Sequence, residues 1–203
     1  MVTINYRSAE IKLAENVYDP AEDSYLLADA AVEHAKDGMR VLEIGAGTGF
    51  VSAVIQANRK VELIATEINP RAAACARSNG IEIIRTDMFA GIRKSPQFDL
   101  ILFNPPYLPT SEDEKVPGWL NYAFDGGIDG RTSIRYFLEE VSGYLAPGGT
   151  ILLLVSSLTG IKEVSERMQA YGLKTKIAAS TKCSFEELVV IKATGHPCPG
   201  EQN

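Results

Sequence analysis

The sequence predicts an α/β fold in which a seven-stranded, mostly parallel sheet is covered by helices on both faces. Short apolar runs alternate with segments of helical periodicity along the chain of 203 residues, which is typical of a doubly wound sheet. Residues 100–103 and 151–155 are continuous apolar runs, as expected for central parallel strands that are buried on both faces. A glycine-rich turn at 45–49 follows a predicted strand and opens a predicted helix.

Seven segments are predicted as strands because they are short, apolar and bounded by turn residues. They are 40–44, 61–67, 81–86, 100–104, 150–156, 175–181 and 187–193. Five segments with apolar residues at helical spacing are predicted as helices. They are 21–36, 50–57, 71–78, 133–144 and 162–171. The tripeptide Pro147-Gly148-Gly149 is expected to end the fourth helix before the next strand. A polar turn near Cys183 and Ser184 joins the last two strands as a hairpin, so one strand is expected to be antiparallel to the rest.

Length and composition favour one domain over residues 1–203, with a core at about 17–193, a short N-terminal extension and a frayed tail from Thr194 onward. Apolar residues make up 45% of the chain, which is enough for a sizeable core. We find no apolar run long enough to span a bilayer and no signal-peptide pattern at the start. We therefore expect a cytoplasmic protein without a membrane partner.

Charge and cysteine usage narrow the possible partners. A net charge of −6 and scattered basic residues argue against a nucleic-acid substrate and leave room for a protein one. The cysteines, Cys75, Cys183 and Cys198, are odd in number and lack paired spacing, and His34 and His196 are isolated. We therefore predict neither a metal site nor a disulfide framework, and we expect Cys75 to be a core residue of a helix.

The strongest local signal is the glycine-rich segment after the first predicted strand. It reads Val41-Leu42-Glu43-Ile44-Gly45-Ala46-Gly47-Thr48-Gly49. Glycines allow a sharp turn and let a ligand approach the backbone closely, which makes Gly45, Gly47 and Gly49 candidate cofactor-binding residues. Glu43, directly before the turn, would repel a pyrophosphate but would suit a sulfonium ligand that carries an ammonium group.

Two further acids end the second and third predicted strands. Glu67 is placed where an acid commonly binds ribose hydroxyls, and Asp87 is placed to accept from an adenine amino group. Both fall at the carboxyl ends of strands, where open α/β sheets bind ligands. The alternatives are that Glu67 caps the helix that Asn69-Pro70 starts, and that Asp87 is an ordinary loop acid.

The tetrapeptide Asn104-Pro105-Pro106-Tyr107 follows the fourth predicted strand and is the candidate catalytic group. An amide nitrogen is a poor nucleophile, so a site that methylates it must hold both N–H groups and align the lone pair. The Asn104 side-chain oxygen and the Pro105 carbonyl can accept those two hydrogen bonds, and consecutive prolines fix the turn. Tyr107 can pack on the planar target group. The alternative is a structural proline-rich turn after a buried strand.

This tetrapeptide resembles that of the amino-nitrogen methyltransferases of the class I S-adenosylmethionine-dependent fold, which act on bases in DNA and RNA and on glutamine in proteins. Two more segments resemble the HemK family of release-factor glutamine methyltransferases. They are Val17-Tyr18-Asp19-Pro20-Ala21-Glu22-Asp23-Ser24 and Phe124-Asp125-Gly126-Gly127-Ile128-Asp129-Gly130-Arg131. The resemblance covers about 17–193 and is greatest to the compact branch without a separate N-terminal helical domain. It implies a Rossmann-like sheet of order 3-2-1-4-5-7-6 with the last-placed strand antiparallel.

The resemblance also implies S-adenosylmethionine as the cofactor. By position, Tyr18 and Ser24 would border its methionine end, and Glu43 and Gly45 would contact its amino-acid part. The segment 19–22 can also be interpreted as a capping box that starts the first helix, and the two roles are compatible.

The remaining implied contacts lie further along the chain. Glu67 would bind the ribose, and Asp87 and Met88 would border the adenine. Asn104, which also faces the cofactor, and Pro105 would hold the target amide.

The segment 109–130 directly follows the tetrapeptide, so we expect it to cover the target site. Its acids, Glu112, Asp113 and Glu114, either solvate the loop or meet a basic protein surface. Trp119 is expected to be a local packing anchor.

The third predicted strand, 81–86, is an edge strand in the implied order and is rich in isoleucine. The HemK branch that the chain resembles pairs with a small zinc-binding activator protein, so we hypothesise that this edge recruits such a partner by strand addition. The alternative is a short edge protected by Glu82 and Arg85.

Three functions are compatible with these sequence features. The leading hypothesis is N5-methylation of the glutamine in the Gly-Gly-Gln loop of a class I translation termination factor. The second is methylation of a base amino group in RNA or DNA, which needs the same tetrapeptide. The third is a non-enzymatic cofactor-binding scaffold, against which the intact Asn104 and Pro105 argue.

Overall fold

The computed structural model describes residues 2–111, 113 and 118–195. A two-stranded hairpin precedes a seven-stranded sheet. The hairpin strands are β1 (Thr3–Tyr6) and β2 (Ala9–Lys12), and the strands of the sheet are β3 (Arg40–Ile44), β4 (Glu62–Glu67), β5 (Ile83–Arg85), β6 (Phe98–Phe103), β7 (Leu145–Ser156), β8 (Lys174–Lys182) and β9 (Glu187–Thr194). The helices are α1 (Glu22–His34), α2 (Phe50–Asn58), α3 (Pro70–Ser78), α4 (Asn121–Phe124), α5 (Thr132–Glu140) and α6 (Ile161–Ala170). No helix in these described ranges is long and apolar enough to cross a membrane.

The strands of the large sheet are hydrogen-bonded in the order β5-β4-β3-β6-β7-β9-β8. This confirms the order 3-2-1-4-5-7-6. The antiparallel strand is β9, the last in the chain, which lies between β7 and β8. The strands from β3 to β7 pair in parallel, so the loops that follow them meet at one carboxyl edge of the sheet.

The core lies on both faces of the sheet because successive side chains of a buried strand point to opposite sides. On β6, Leu100 and Leu102 pack in a cluster with residues of α1, α2 and α3. Ile101 and Phe103 pack on the other face in a cluster with residues of α5 and α6. None of the four is more than 2% exposed, which confirms that this apolar run is a central strand.

The boundary between the fourth predicted helix and the next strand differs from the expectation. Helix α5 ends at Glu140 and is followed by a 3₁₀ turn at Val141–Gly143. Strand β7 already begins at Leu145, so the tripeptide 147–149 lies inside the strand and does not precede it. The pairing of β6 with β7 shifts register here, and the positive φ of Gly148 (71°) fits such a bulge.

The hairpin of β1 and β2 was not predicted. Its turn uses Arg7 and Ser8 with positive φ (41° and 67°), a backbone conformation that neither residue type favours. Ile11 is fully buried, and the Lys12 N–H donates to the Asn79 side-chain oxygen at 2.9 Å. These contacts attach the hairpin to the main fold.

The two ends of the predicted core also need correction. Helix α1 begins at Glu22, and its N-cap is Ala21, which makes no side-chain cap bond. Pro20 therefore lies outside the helix, and the capping-box interpretation of 19–22 is wrong. Thr194 is still part of β9 and is paired on both sides. The tail predicted to be frayed from Thr194 onward therefore does not begin at Thr194, and its residues 196–203 lie outside the described residues.

Candidate active site

A cavity opens at the carboxyl edge of the sheet, between the segment before α1 and the loops that follow β3 to β6. Most of the predicted site residues line it: Tyr18, Ser24, Glu43, Gly45, Gly47, Glu67, Asp87, Met88, Asn104, Pro105 and Pro106. Gly49 and Tyr107 are not among its lining residues. The fold thus brings most of the predicted cofactor-binding residues together with three residues of the predicted catalytic tetrapeptide.

Glu43 lies on β3 and is buried, with 3% of its surface exposed. The Ser52 hydroxyl on α2 donates a hydrogen bond to its carboxylate. Burial raises the pKa of Glu43 to about 7, and the nearby Glu67 carboxylate adds to the rise, whereas the Ser52 bond opposes it. A cationic ligand group beside Glu43 would stabilise its ionised form.

Glu67 ties the end of β4 to the glycine-rich turn. Its two carboxylate oxygens accept from the backbone N–H groups of Gly47 and Asn69, each at 2.8 Å. The cap of α3 is Asn69, whose side chain accepts from the Arg71 N–H at 2.9 Å. The capping role considered for Glu67 therefore belongs to Asn69, and Glu67 faces the cavity.

Asp87 and Met88 follow β5 at the far end of the cavity. The Met88 backbone has a φ of 41°, in the left-handed region that few side chains adopt. Such strain persists where the surroundings hold it, and it is frequent at ligand sites.

Gly47 and Gly49 of the glycine-rich turn have different structural roles. An added Cβ at Gly47 would meet nothing within 4 Å, so it would extend into open space in a wall of the cavity. An added Cβ at Gly49 would lie 2.8 Å from Ile81 Cγ1 and 3.1 Å from Ala76 Cβ. The backbone geometry therefore makes Gly49 a packing residue at the start of α2.

We expect Gly49→Ala to lower the free energy of unfolding by about 3 kcal/mol, since overpacking adds to the left-handed strain at φ 79°. The matched control is Gly38→Ala, which has a similar φ of 85° and no atom within 4 Å of the added Cβ. It should lose only about 1 kcal/mol. Urea denaturation of both variants measures the difference, and equal losses would contradict the packing role.

Asn104 carries an oriented hydrogen-bond acceptor. Its Nδ2 donates to Asp23 Oδ2 at 3.0 Å. Because a carboxylate only accepts hydrogen bonds, the amide must turn its NH₂ group toward Asp23 and its oxygen the other way. Asn104 Oδ1 is buried and has no partner within the described structure. A buried acceptor without a partner is costly, and it is typical of a group that a ligand completes.

Asp23 organises this end of the cavity and is itself 4% exposed. Its carboxylate also accepts from the Tyr18 hydroxyl at 3.1 Å and from the Ser24 backbone N–H at 2.6 Å. In the sequence, Asp23 is recognised only as part of the segment 17–24 that resembles the HemK family, and no role was predicted for it. Only the packing of α1 beside the end of β6 reveals that it meets Asn104.

Tyr107 packs against the core on the α1 side of the sheet. Burial raises the pKa of Tyr107, and the carboxylates of Asp23 and Glu186 raise it further. Burial raises the pKa of Tyr18 in the same way, with Asp23 as the next cause. Both phenols therefore stay protonated at neutral pH.

Part of the segment after the tetrapeptide, within the residues that the structure describes, forms a wall of the cavity. Trp119, Leu120, Tyr122 and Ala123 line the cavity, and none of the four was predicted as a site residue because no local pattern marks them. The rings of Trp119 and Tyr122 lie 5.3 Å apart, so Trp119 is both a packing residue and part of the cavity wall. The predicted Glu112 lies outside the described residues, as does the predicted Glu114.

Possible metal ligands are scattered. Within the described part of the chain, no three His, Cys, Asp or Glu side chains are grouped as a metal site would require. Cys75 is buried, as predicted, and Cys183 is half-buried. Cys198 and His196 lie outside the described residues.

Known proteins resemble this chain in both sequence and fold. The profile of the family called Methyltransferase small domain matches residues 15–117. A protein of Methanocaldococcus jannaschii described as a putative protein N5-glutamine methyltransferase is 44% identical over 94% of this chain and 98% of its own length. Human methyltransferase HEMK2 is 35% identical over 88% of this chain and 90% of its own length. The chain belongs to the HemK family of methyltransferases.

A solved structure extends this HemK-family assignment to the fold. One chain of the E. cuniculi Mtq2–Trm112 complex, described as responsible for methylation of the eRF1 translation termination factor, superposes with a TM-score of 0.72. It is 29% identical, and the match covers 89% of this chain and 99% of that one. The predicted Rossmann-like class I methyltransferase fold is confirmed, and with it the use of S-adenosylmethionine by this HemK-family enzyme.

The cavity of this HemK-family chain fits that cofactor. Among the lining residues that the structure describes, acids are present and no Lys, Arg or His is found, which suits a cationic ligand and disfavours a phosphate. Thr66 Oγ1 is buried at the cavity without a hydrogen-bond partner in the described structure, so a ligand could satisfy it. Glu43, Glu67 and Asp87 supply acceptors along the carboxyl edge.

Proposed function

We propose that this chain, as one methyltransferase domain over residues 1–203, methylates the N5 nitrogen of the glutamine in the Gly-Gly-Gln loop of a class I translation termination factor. The observation that carries the proposal is Asn104 Oδ1 at the cavity, which is buried, has no partner among the described residues and is held in one orientation by Asp23. The similarity to an N5-glutamine methyltransferase and to a complex that methylates a termination factor supports the same target.

The chemistry of an amide explains this arrangement. Its nitrogen lone pair is delocalised into the carbonyl, so both N–H groups must be held while the lone pair turns toward the methyl donor. Asn104 Oδ1 would accept one N–H and the Pro105 carbonyl the other, and the rigid Pro105-Pro106 turn fixes their separation. An amide with two hydrogens fits two acceptors.

When bound, S-adenosylmethionine supplies an electrophilic methyl group on a sulfonium. Tyr18 and Ser24 would border its methionine end, and Glu43 and Gly45 would hold its amino-acid part, where the ionised Glu43 pairs with an ammonium. No general base is required, since the methylated nitrogen becomes acidic and releases its proton to water. The protonated phenol of Tyr18 is consistent with that scheme.

At the other end of the cavity, Glu67 would bind the ribose, and Asp87 and Met88 would border the adenine. Gly47 leaves room for the ligand. Gly49 would act on the cofactor only through the position of α2.

The direct test is mass spectrometry of a purified class I termination factor after incubation with the enzyme and S-adenosylmethionine. We expect one added methyl group on the glutamine of the Gly-Gly-Gln loop. Labelled methyl groups in purified tRNA or DNA, with an unmodified glutamine, would instead establish the base-methylating alternative.

Asp23 is proposed as a positioning residue that acts through Asn104. We expect Asp23→Ala to lower kcat about tenfold, because the Asn104 amide loses the partner that fixes its orientation. The Kd for S-adenosylhomocysteine, measured by calorimetry, should change less than about threefold. A loss confined to cofactor affinity would contradict this role. The control Asp29→Ala removes an acid on the same helix that contacts Tyr6 and Arg7 instead.

We further propose that a small zinc-binding activator adds a strand at β5. The Ala65 N–H donates to Glu82 O and the Thr86 N–H donates to Glu67 O, so the backbone groups of residues 82, 84 and 86 face β4. By the alternation of a strand, those of Ile83 and Arg85 face away and are available to a partner. The Mtq2–Trm112 complex supports a partnered enzyme.

Arg85→Pro removes one outward N–H group and keeps the groups of Glu82 and Thr86 that bond to β4. We expect it to abolish co-purification with the activator, whereas Arg85→Ala should retain the complex. Size-exclusion chromatography of co-expressed proteins distinguishes them. An equal complex with both variants, or a wild-type chain that is fully active alone and gains nothing from the activator, would contradict strand addition.

A further inference from the structure

Three turns at the carboxyl edge of the sheet present bulky apolar side chains to solvent. Ile128 is 91% exposed, Leu158 is 49% exposed and Phe185 is 94% exposed. We call these three side chains the apolar patch. They follow β6, β7 and β8, respectively, on the edge that carries the active-site cavity.

Each side chain lies at a central position of a tight turn. The turns 127–130 and 156–159 are each closed by a 3.0 Å hydrogen bond from the N–H of the last residue to the carbonyl of the first. The turn 183–186 joins β8 to β9 and is closed by a 2.8 Å bond from the Cys183 N–H to the Glu186 carbonyl. Central turn positions ordinarily hold Gly, Pro, Asn, Asp or Ser, so three large apolar residues there need another explanation.

The turns are fixed to one another, so the patch is preorganised. Arg131 Nη1 donates to the Thr159 carbonyl at 2.7 Å, which joins the first turn to the second. Ser157 and Glu187 exchange two hydrogen bonds of 2.8 and 3.0 Å, which join the second turn to the third. Little conformational entropy would be lost when a partner binds such a surface.

The patch borders the catalytic tetrapeptide. Gly130 lies against the Tyr107 carbonyl so closely that a Cβ would collide with it. Cys183, which begins the third turn, packs against the same core cluster as Tyr107, so the third turn also lies on that side of the sheet. A macromolecule whose side chain enters the site from solvent would therefore meet the patch.

The charges around the patch favour a protein over a nucleic acid. Arg131 and Arg135 are both paired with Asp129, at 3.2 and 2.8 Å. Lys182 is exposed beside the third turn, but the acid Glu186 lies in that same turn. A phosphate backbone needs several unpaired cations, whereas exposed apolar groups are typical of protein contacts.

We infer that the apolar patch of Ile128, Leu158 and Phe185 docks the body of the protein substrate, a folded domain with an apolar surface beside the loop that carries the methylated glutamine. This inference rests on the proposed function and deepens it, since recognition then extends beyond the loop itself. The patch supplies substrate affinity, and Asn104 and Pro105 supply the chemistry.

The test is a triple variant, Ile128→Ser, Leu158→Ser and Phe185→Ser, assayed with an intact class I termination factor and with a synthetic peptide containing Gly-Gly-Gln. We expect the KM for the intact factor to rise at least about tenfold while kcat stays within about twofold. The kcat/KM for the peptide and the Kd for S-adenosylhomocysteine should be unchanged. A wild-type enzyme that methylates the factor but not the peptide would also support docking.

The matched control carries Val2→Ser, Tyr171→Ser and Ile177→Ser, which replace three other exposed apolar residues outside the three turns. Equal KM values for the two triple variants would overturn the inference, and so would a loss that is as large with the peptide as with the factor. If the wild-type enzyme leaves the factor unmethylated, the proposed function itself fails, which is a distinguishable result.

Discussion

Replacing Asn104 by alanine is expected to lower kcat for methyl transfer about 10³-fold while the Kd for S-adenosylmethionine changes less than about fivefold. The reason is that Asn104 Oδ1, which is buried and has no partner in the described part of the chain, would be the preorganised acceptor for the target amide in the transition state. The Pro105 carbonyl alone cannot hold both N–H groups. Single-turnover transfer of labelled methyl and calorimetric titration of the cofactor measure the two quantities separately.

The control for this variant is Asn58→Ala, which removes an amide bound only to the carbonyls of Arg7 and Val54. Its kcat should equal that of the wild type. An Asn104→Ala enzyme with wild-type kcat would refute the catalytic assignment, and one that binds no cofactor would assign Asn104 to the cofactor site instead.

Glu43→Gln is expected to weaken S-adenosylmethionine binding about 100-fold at pH 8. The neutral amide keeps the size of the side chain but cannot pair with the ammonium group of the cofactor, and a buried ion pair is expensive to break. Methylthioadenosine, which lacks the amino-acid part, provides the control ligand. It should bind wild type and variant alike, and an equal loss for both ligands would contradict the assigned contact.

The same residue should make the stability of the ligand-free protein depend on pH. Burial raises the pKa of Glu43 from 4.5 to about 7, so between these values the folded chain holds a proton that the unfolded chain has lost. The free energy of unfolding should therefore fall by about 3 kcal/mol as pH rises from 4.5 through 7. Glu43→Gln should lack this fall, and denaturation of both proteins at pH 5 and pH 8 measures it. Parallel pH profiles would contradict the raised pKa.

Much of the fold could be predicted because its central strands are unusually apolar. The runs in β6 and β7 are fully buried, and such a run has few other stable environments in a chain of this size. The acids at the ends of β3 and β4 could be located for a related reason, since a strand that ends in a buried carboxylate points to a ligand.

The features of the site that could not be predicted depend on contacts between residues that are distant in the sequence. The bond between Asp23 and Asn104 joins positions 81 residues apart, and no local pattern reports it. The different roles of Gly47 and Gly49 could not be predicted from the sequence either, since they depend on whether Ile81 lies beside the turn. The β1–β2 hairpin was missed because its turn lacks glycine.

The link between Asp23 and Asn104 has a consequence for the ways in which the enzyme can be inactivated. Glu43 and Glu67, which would hold the methyl donor, belong to strands of the sheet, whereas the orientation of the Asn104 amide depends on the first turn of α1. A molecule in which only the bond between Asp23 and Asn104 is broken would still bind the methyl donor through Glu43 and Glu67 but would not orient the amide of Asn104. Donor occupancy would therefore overstate the active fraction of a preparation.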